Sequence, residues 1–237
     1  MRLPIYCLAG LAMAFPMAVP AATLFYNGTP DVTQNGNLLD CSNCRSSLGE
    51  YVYDNFTASS TWSVSGLFGN YFVFSGSAIP TSATWVIRQG ISQGVDGTVV
   101  ATGSSSWTTQ SITTPPGGST SYQYFQGSLS IANLTLGPGN YWLAISPNTF
   151  DAGTDAFVLG AFGAAGTNSI IDGTSFKIGT YDAHMQNIGA YLQPFTGHSN
   201  YDWSYGVNGT AATPEPASAL LVIAGLALAG YRRVRRD

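Results

Sequence analysis

Residues 128–146 read SLSIANLTLGPGNYWLAIS, and this stretch carries the clearest signal of the fold. Apolar and polar side chains alternate over residues 128–132 and again over residues 134–136, and the one-residue slip between them indicates a β-bulge. A Gly-Pro-Gly-Asn turn at residues 137–140 is followed by the mostly apolar run at residues 141–146. Two such runs joined by a glycine-containing turn predict a β-hairpin.

Similar short runs recur along the chain, separated by Gly, Pro, Asn and Ser, and no long helical period interrupts them. We therefore expect an all-β domain over residues 23–211, folded as a single antiparallel β-sandwich with jelly-roll-like topology. No internal repeat of about 20–50 residues is visible, which disfavours a propeller, a barrel or a β-solenoid. The predicted strands are residues 51–56, 61–67, 71–74, 83–88, 98–101, 128–136, 141–146, 156–159, 175–178 and 202–205.

The composition of the 237 residues excludes several classes of protein. Charged residues make up 8% and hydrophobic residues 45% of the chain, whereas disorder requires high charge and low hydrophobicity. Five of the eight basic residues lie at the two chain ends, so residues 23–213 hold three basic against ten acidic residues, a net charge of −7. Nucleic-acid binding requires clustered Lys and Arg on the folded part, and we therefore expect none.

The amino terminus predicts export. One arginine near the start is followed by an apolar run and then by small residues around position 21. This order is that of a secretory signal peptide, which we assign to residues 1–22 with cleavage after Ala21 or Ala22. An uncleaved membrane anchor is the alternative, and Pro16 and Pro20 disfavour it because they interrupt a helix.

The carboxyl terminus, residues 212–237, has three parts in order. Pro214-Glu215-Pro216 is stiff and extended because each proline fixes its own φ and disfavours helix before it. An uncharged run over residues 217–230 predicts a helix of roughly 21 Å, which the flanking residues extend to a marginal membrane span. A basic tail after the run predicts a cytoplasmic end. An amphipathic or core helix is the alternative, and the run lacks a polar face. The basic residues are Arg232, Arg233, Arg235 and Arg236.

This tripartite end resembles the PEP-CTERM sorting domain, a tail also catalogued as an ice-binding protein C-terminal domain. The resemblance covers about the last 25 residues and rests on the Pro-Glu-Pro motif, the short apolar helix and the arginine-rich end. It implies a Gram-negative bacterium and exosortase, a membrane protease-transpeptidase, as a partner. It also implies transient anchoring in the inner membrane with a periplasmic ectodomain, cleavage near the motif, and delivery to the cell surface or extracellular matrix. Residues 211–213 are then expected to form a short flexible approach to the motif.

Cys41 and Cys44 form the only cysteine pair outside the signal peptide. An exported protein meets an oxidising compartment, so we expect a local disulfide between them. Redox catalysis is one alternative, but its C-x-x-C motif normally begins a helix within a βαβ unit, unlike the Gly/Ser/Asn-rich flanks here. Half of a zinc site, completed by His184 and His198, is another, and free or mixed thiols are a third.

Two further groups of residues are candidates for chemistry. Asp151, Asp155 and Asp172 lie in glycine-rich loops, which suits either calcium ligation or ordinary turns, and turns are the commoner use. His184 or His198 would have to serve any hydrolase triad, but no G-x-S-x-G motif occurs. We therefore assign no catalytic residue, no metal ligand and no cofactor.

The tryptophans are the remaining candidates. Trp62, Trp85 and Trp142 lie within predicted strands and are expected in the core, whereas Trp107 and Trp203 have polar flanks and are the surface candidates for stacking on a sugar. We therefore expect an exported, non-catalytic protein of the cell surface or matrix, associated with exopolysaccharide. A carbohydrate-binding module of the same fold is the alternative, followed by a calcium-dependent or hydrolytic domain.

Overall fold

The computed structural model describes residues 21–30, 37–39, 50–115, 118–148, 157–159, 166–170, 172, 174–179, 184–187 and 202–212. All regular secondary structure in these residues is β. None of them belongs to a helix long and apolar enough to span a membrane. The predicted signal peptide, except its last two residues, and the predicted membrane helix lie outside the described residues.

The described residues form thirteen strands, whose lengths follow the alternation of the sequence. They are β1 Ala22–Tyr26, β2 Asn37–Leu39, β3 Glu50–Ala58, β4 Trp62–Phe74, β5 Ser82–Gln89, β6 Thr98–Ser106, β7 Thr108–Ser111, β8 Tyr122–Leu136, β9 Gly139–Pro147, β10 Phe157–Leu159, β11 Ser175–Gly179, β12 Gln186–Asn187 and β13 Tyr205–Ala211.

The strands form two antiparallel sheets. In the first sheet, β8 pairs along the length of β4 on one side and also pairs β7, while β13 and β10 pair successive parts of β4 and continue to β1 and β2. The second sheet has the order β12-β11-β3-β9-β5-β6. The prediction of an all-β domain with antiparallel sheets is therefore confirmed for the described residues.

The core is made by the side chains that the two sheets turn towards each other. Phe56 of β3 stacks on Trp62 of β4 with ring centroids 5.8 Å apart, and it also lies 5.5 Å from the ring of Phe25 in β1. Two hydroxyls cross between the sheets as well: Tyr71 donates to the carbonyl of Ile145 at 2.5 Å, and Tyr205 donates to that of Val52 at 3.2 Å. Burial of these large aromatic groups is the main stabilising contribution to the fold.

The predicted hairpin at residues 128–146 is wrong. β8 belongs to the first sheet and β9 to the second, so the turn at Gly137 and Pro138 crosses from one sheet to the other. The physical reason is that β9 is buried on both faces and is paired on both edges by β3 and β5. The predicted bulge is confirmed, because residues 131–133 of β8 lie opposite the single residue Ser65 of β4.

Two other strand predictions need correction. Residues 61–67 and 71–74 are not separate strands but parts of the continuous β4. Residues 202–205 are not a strand of their own: Trp203 forms a single bridge, and Tyr205 is the first residue of the last strand, β13.

The predicted flexible approach at residues 211–213 is also wrong for its first two residues. Ala211 pairs with Trp62, and the Ala212 amide donates to the carbonyl of Thr61 at 2.7 Å. The cause is that β4 extends as far as Trp62 and offers pairing partners to this small-residue segment. The sheet therefore continues to within two residues of Pro214.

Gly127 tests the packing between the sheets. A methyl group at this position would overlap the ring of the buried Trp107, so we expect Gly127→Val to lower the free energy of unfolding by about 1–3 kcal/mol through overpacking. Gly137→Ala is the control, because a methyl group there meets nothing within 4 Å. Urea unfolding followed by tryptophan fluorescence measures both. Equal stability of the two variants would contradict the packing described.

Candidate functional site

The most distinctive surface of the described residues is on the outer face of the first sheet, where β4 and β8 place three side-chain pairs in register. Successive residues of a strand point to opposite faces, so Tyr71 and Val73 enter the core while their neighbours point outward. One pair consists of amides and the other two of aromatic rings. We call this set the outer ladder; its pairs are Asn70 with Gln126, Phe72 with Tyr124, and Phe74 with Tyr122.

The aromatic rings of the outer ladder contact one another. The Phe72 ring lies 4.5 Å from that of Tyr122 and 5.9 Å from that of Tyr124, and the Phe74 ring lies 5.5 Å from that of Tyr122. Phe72 and Tyr124 are buried, whereas Phe74 is 43% exposed. The ladder therefore ends in an exposed ring supported by rings that are fixed in place.

The described part of the connection between β7 and β8, residues 112–115 and 118–121, covers the middle of the ladder. The Ile112 amide donates to the carbonyl of Tyr124 at 3.1 Å, and the Ser119 amide donates to the Tyr124 hydroxyl at 2.8 Å. Burial under this segment raises the pKa of the Tyr124 phenol, although the hydrogen bond from Ser119 acts in the opposite direction. The hydroxyl is thus protonated and held throughout the physiological range of pH.

A groove of about 340 Å³ lies at the amide end of the ladder, between the start of that connection and the segment after β1. We call it the Asn70 groove. None of its lining residues is an acid or a base that carries charge at neutral pH. They are Tyr26, Thr29, Pro30, Asn70, Ile112, Thr113, Thr114, Pro115 and Gln126.

A hydrogen-bond network fixes the polar side chains of the Asn70 groove. Gln126 Nε2 donates to Asn70 Oδ1 at 3.2 Å, and Asn70 Nδ2 donates to Ser204 Oγ at 2.7 Å and to the Tyr26 hydroxyl at 3.2 Å. Ser204 Oγ donates in turn to the carbonyl of Gly28 at 2.6 Å. The groove is consequently preorganised by polar contacts rather than by packing alone.

The segments that carry Ser204 and Gly28 are held together by a buried carboxylate. Asp54 lies on the core side of β3, and its Oδ2 accepts from Asn27 Nδ2 at 2.6 Å and from the Trp203 amide at 2.5 Å. Its Oδ1 accepts from the Asn55 amide at 2.8 Å. A carboxylate that accepts three N–H donors is a strong link between the segments that supply them.

A second acid, Asp202, affects this carboxylate. Burial, followed by the nearby negative charge of Asp202, raises the pKa of Asp54 well above its usual range, although the three N–H donors lower it. Both acids have no exposed surface, which leaves a substrate no access to either carboxyl. A raised pKa in a cleft would suggest an acid catalyst, but complete burial indicates a structural role here.

His184 and Asp172, which the sequence analysis singled out, do not line the Asn70 groove. His184 is exposed, with Nδ1 3.7 Å from Oδ2 of Asp96. Asp172 is exposed as well, and its Oδ1 accepts from the Thr174 amide at 2.7 Å, which is the hydrogen bond of an Asx turn. The turn interpretation of Asp172 is therefore confirmed for this residue.

The predictions for the tryptophans are only partly correct. Trp62 and Trp85 are buried as expected and Trp142 is half-buried. Trp107 and Trp203 are buried too, so the expectation that they are surface sugar-stacking residues is wrong. Polar flanks misled the prediction at Trp107, because its indole finds a buried acceptor in the Pro80 carbonyl and its ring packs over Gly127.

Several predicted site residues lie outside the described residues, and their assignments stay predictions. These are Cys41, Cys44, Asp151, Asp155, His198, Pro214, Glu215, Pro216, Arg232, Arg233, Arg235 and Arg236. Within the part of the chain that the structure describes, no three His, Cys, Asp or Glu side chains form a group able to hold a metal ion.

Comparison of the chain with protein-family models and with curated proteins gives no match. The site must therefore be interpreted from its own geometry.

The outer ladder was not predicted from the sequence. Residues 71–74 are all apolar, so they predict a strand without showing which of its side chains point outward. The outward side chains of β4 and β8 become neighbours only through the register of the two strands, which places Asn70 opposite Gln126.

The Asp54 and Asp202 pair predicts a specific pH dependence. A carboxyl with a raised folded pKa binds its proton more tightly in the folded state, so stability decreases as pH rises from about 4, the unfolded value, through the folded pKa. Asp202→Asn removes the neighbouring charge and should make this decrease smaller. Urea unfolding between pH 4 and pH 8 measures it in both chains.

Asp172→Asn is the matched control for this measurement, because Asp172 is an exposed acid close to the pair, with its Oδ2 accepting from Asn55 Nδ2 at 3.2 Å, and water screens its charge. It should leave the pH dependence as it is in the unmodified chain. If Asp202→Asn also leaves it unchanged, the electrostatic interaction between the two buried acids is contradicted.

Proposed function

We propose that this chain is an exported, non-catalytic protein of the cell surface or extracellular matrix, sorted through its carboxyl-terminal tail by an exosortase. The observation that carries the proposal is the tail itself, with Pro214-Glu215-Pro216, an apolar segment and four arginines in that order. In this proposal the arginines hold the tail on the cytoplasmic side, and the motif meets the enzyme at the outer surface of the inner membrane.

The domain that is delivered is, in this proposal, a jelly-roll-like β-sandwich. Support comes from the two antiparallel sheets and the aromatic core between them. Its first and last strands pair, with Ala22 opposite Gly209, so the predicted end of the signal peptide lies beside the strand that leads to the tail. In this proposal, both processing events occur near the same edge of the domain.

Association with a polysaccharide matrix is supported by chemistry of the surface. The exposed positions of β6 and β7 are mainly Thr and Ser, which hydrogen-bond to water and to sugars without ionic attraction. The Asp54 carboxyl, whose pKa is raised, and the neighbouring Asp202 are buried rather than presented in a cleft, which supports the non-catalytic part of the proposal.

A second candidate function, that of a carbohydrate-binding module, is favoured by a specific observation. The outer ladder combines an exposed aromatic ring with amide groups at one edge of a groove. Aromatic faces and amides are the groups that bind the apolar face and the hydroxyls of a sugar.

The sorting proposal is tested by changing the motif. We expect the triple substitution Pro214→Ala, Glu215→Ala, Pro216→Ala to leave the chain unprocessed and in the membrane fraction, because the rigid recognition element is lost. Intact-mass measurement in cells with and without exosortase reports the cleavage. Pro138→Ala, in an exposed turn of the domain, is the control and should be processed normally. Processing of the triple variant at the normal rate would contradict the proposal.

The topology has a separate test. A fluorescent protein that folds only in the cytoplasm, fused after Asp237, should fluoresce, and alkaline phosphatase fused at the same position should be inactive, because the arginines hold this end inside. Fusions made after Ala212 without the tail should give the opposite pair of results. Active phosphatase after Asp237 would show that the tail is outside the cytoplasm.

A further inference from the structure

We propose that the outer ladder and the Asn70 groove bind a neutral polysaccharide chain. This inference rests on the proposed association with exopolysaccharide and adds the site and the class of ligand. Its residues are those that face outward from β4 and β8, together with Tyr26 at the end of β1.

The shape of the site suits an extended polymer. The three pairs of the ladder follow one another along two strands, and residues two apart in a strand are separated by roughly 6.8 Å. The two accessible ends of the site, the amides at Asn70 and the ring of Phe74, are therefore about 13 Å apart. A ligand that contacts both ends must be longer than one sugar ring. The exposed Phe74 ring lies at one end and the amides lie at the other.

The hydrogen-bond network leaves groups available for sugar hydroxyls. Ser204 Oγ gives its proton to the Gly28 carbonyl, and the two protons of Asn70 Nδ2 go to Ser204 Oγ and the Tyr26 hydroxyl. The Tyr26 hydroxyl accepts from Asn70, so its own proton is available for another acceptor. Within the described part of the chain its other polar neighbour is Ser204 Oγ at 3.4 Å, a distance too long for a strong bond.

Gln126 supplies the complementary group. Its side-chain Nε2 donates to Asn70 Oδ1. Its side-chain oxygen, Oε1, accepts no hydrogen bond from the residues that the structure describes. The groove thus presents a donor at Tyr26 and an acceptor at Gln126. A sugar hydroxyl can both accept and donate, so it matches this pair.

Charge selects a neutral polymer over an anionic one. The lining of the Asn70 groove contains no Lys, Arg or His that could pair with a uronate, sulfate or phosphate group. The domain around it has a net charge of −7, from three basic and ten acidic residues between positions 23 and 213. An anionic chain would be repelled, whereas an uncharged one would not.

A second copy of the chain fits this surface less well than a polysaccharide does. Stable interfaces bury about 800 Å² on each partner. Within the ladder, Phe74 alone has more than two-fifths of its surface exposed, while Phe72 and Tyr124 are already covered by the connection between β7 and β8. The apolar surface that remains is small, and its polar edge is suited to hydroxyl groups.

The test uses the full chain in a mild detergent, titrated with cellohexaose, maltohexaose and mannohexaose as neutral probes and with hexagalacturonate as the anionic probe. We expect calorimetric binding of at least one neutral probe and none of the anionic probe. Phe74→Ser, an exposed position, should weaken that binding about 10-fold through loss of the stacking face. Tyr26→Phe keeps the ring but removes the donor, and should weaken it about 2- to 10-fold.

Tyr51→Phe and Gln89→Ala, both in the second sheet, are the matched controls and should bind as the unmodified chain does. Thermal unfolding of every variant distinguishes lost contacts from lost structure. The inference is overturned if no neutral probe binds, if hexagalacturonate binds equally well, or if Phe74→Ser and Tyr26→Phe both bind normally. It is also overturned if sedimentation shows a dimer that Phe74→Ser dissociates.

The two proposals fail separately. Phe74→Ser and Tyr26→Phe should be processed by exosortase at the normal rate, because neither residue belongs to the tail. Normal sugar binding by a chain that exosortase does not process would refute the sorting proposal and leave the binding site intact. Normal processing of a chain that binds no neutral probe would refute the binding site alone.

Discussion

The buried carboxylate of Asp54 is the contact on which the arrangement of the two sheets depends. The side chain starts on the core side of β3, in the second sheet. It accepts from Asn27, just after β1, and from the Trp203 amide, just before β13, and both of these strands belong to the first sheet. A buried donor left without its acceptor costs about 1–3 kcal/mol, so each of these contacts resists separation of the sheets. The position of Ser204, and through it that of Asn70 and Tyr26, follows from the same contacts.

Much of the fold was predictable because alternation along a strand is a local property. It located strands such as β3, β5 and β11, and it located the bulge of β8. The partner of each strand was not local. A glycine-rich turn can join two paired strands or two strands of different sheets. At Gly137 it joins different sheets, because β9 pairs with β3 and β5.

The candidate site was less predictable for the same reason. Asn70 and Gln126 are 56 positions apart, and only the register between β4 and β8 makes them neighbours. The flanks of Trp107 and Trp203 are polar, yet both rings are buried. At Trp107 the reason is that Gly127 of β8 leaves room for the ring. The polarity of the neighbouring residues therefore did not predict whether these tryptophan rings are buried.

In the proposed anchored form of the protein, the pairing of β13 on both of its edges has a mechanical consequence. Any drag on the domain enters the fold through Ala211, at the end of a strand flanked by β1 on one side and by β4 on the other. Tension along β13 acts in shear on the hydrogen bonds to both neighbouring strands, so the force is distributed over all of these bonds. A terminal strand at an exposed edge would resist the same force with the hydrogen bonds to one neighbouring strand only.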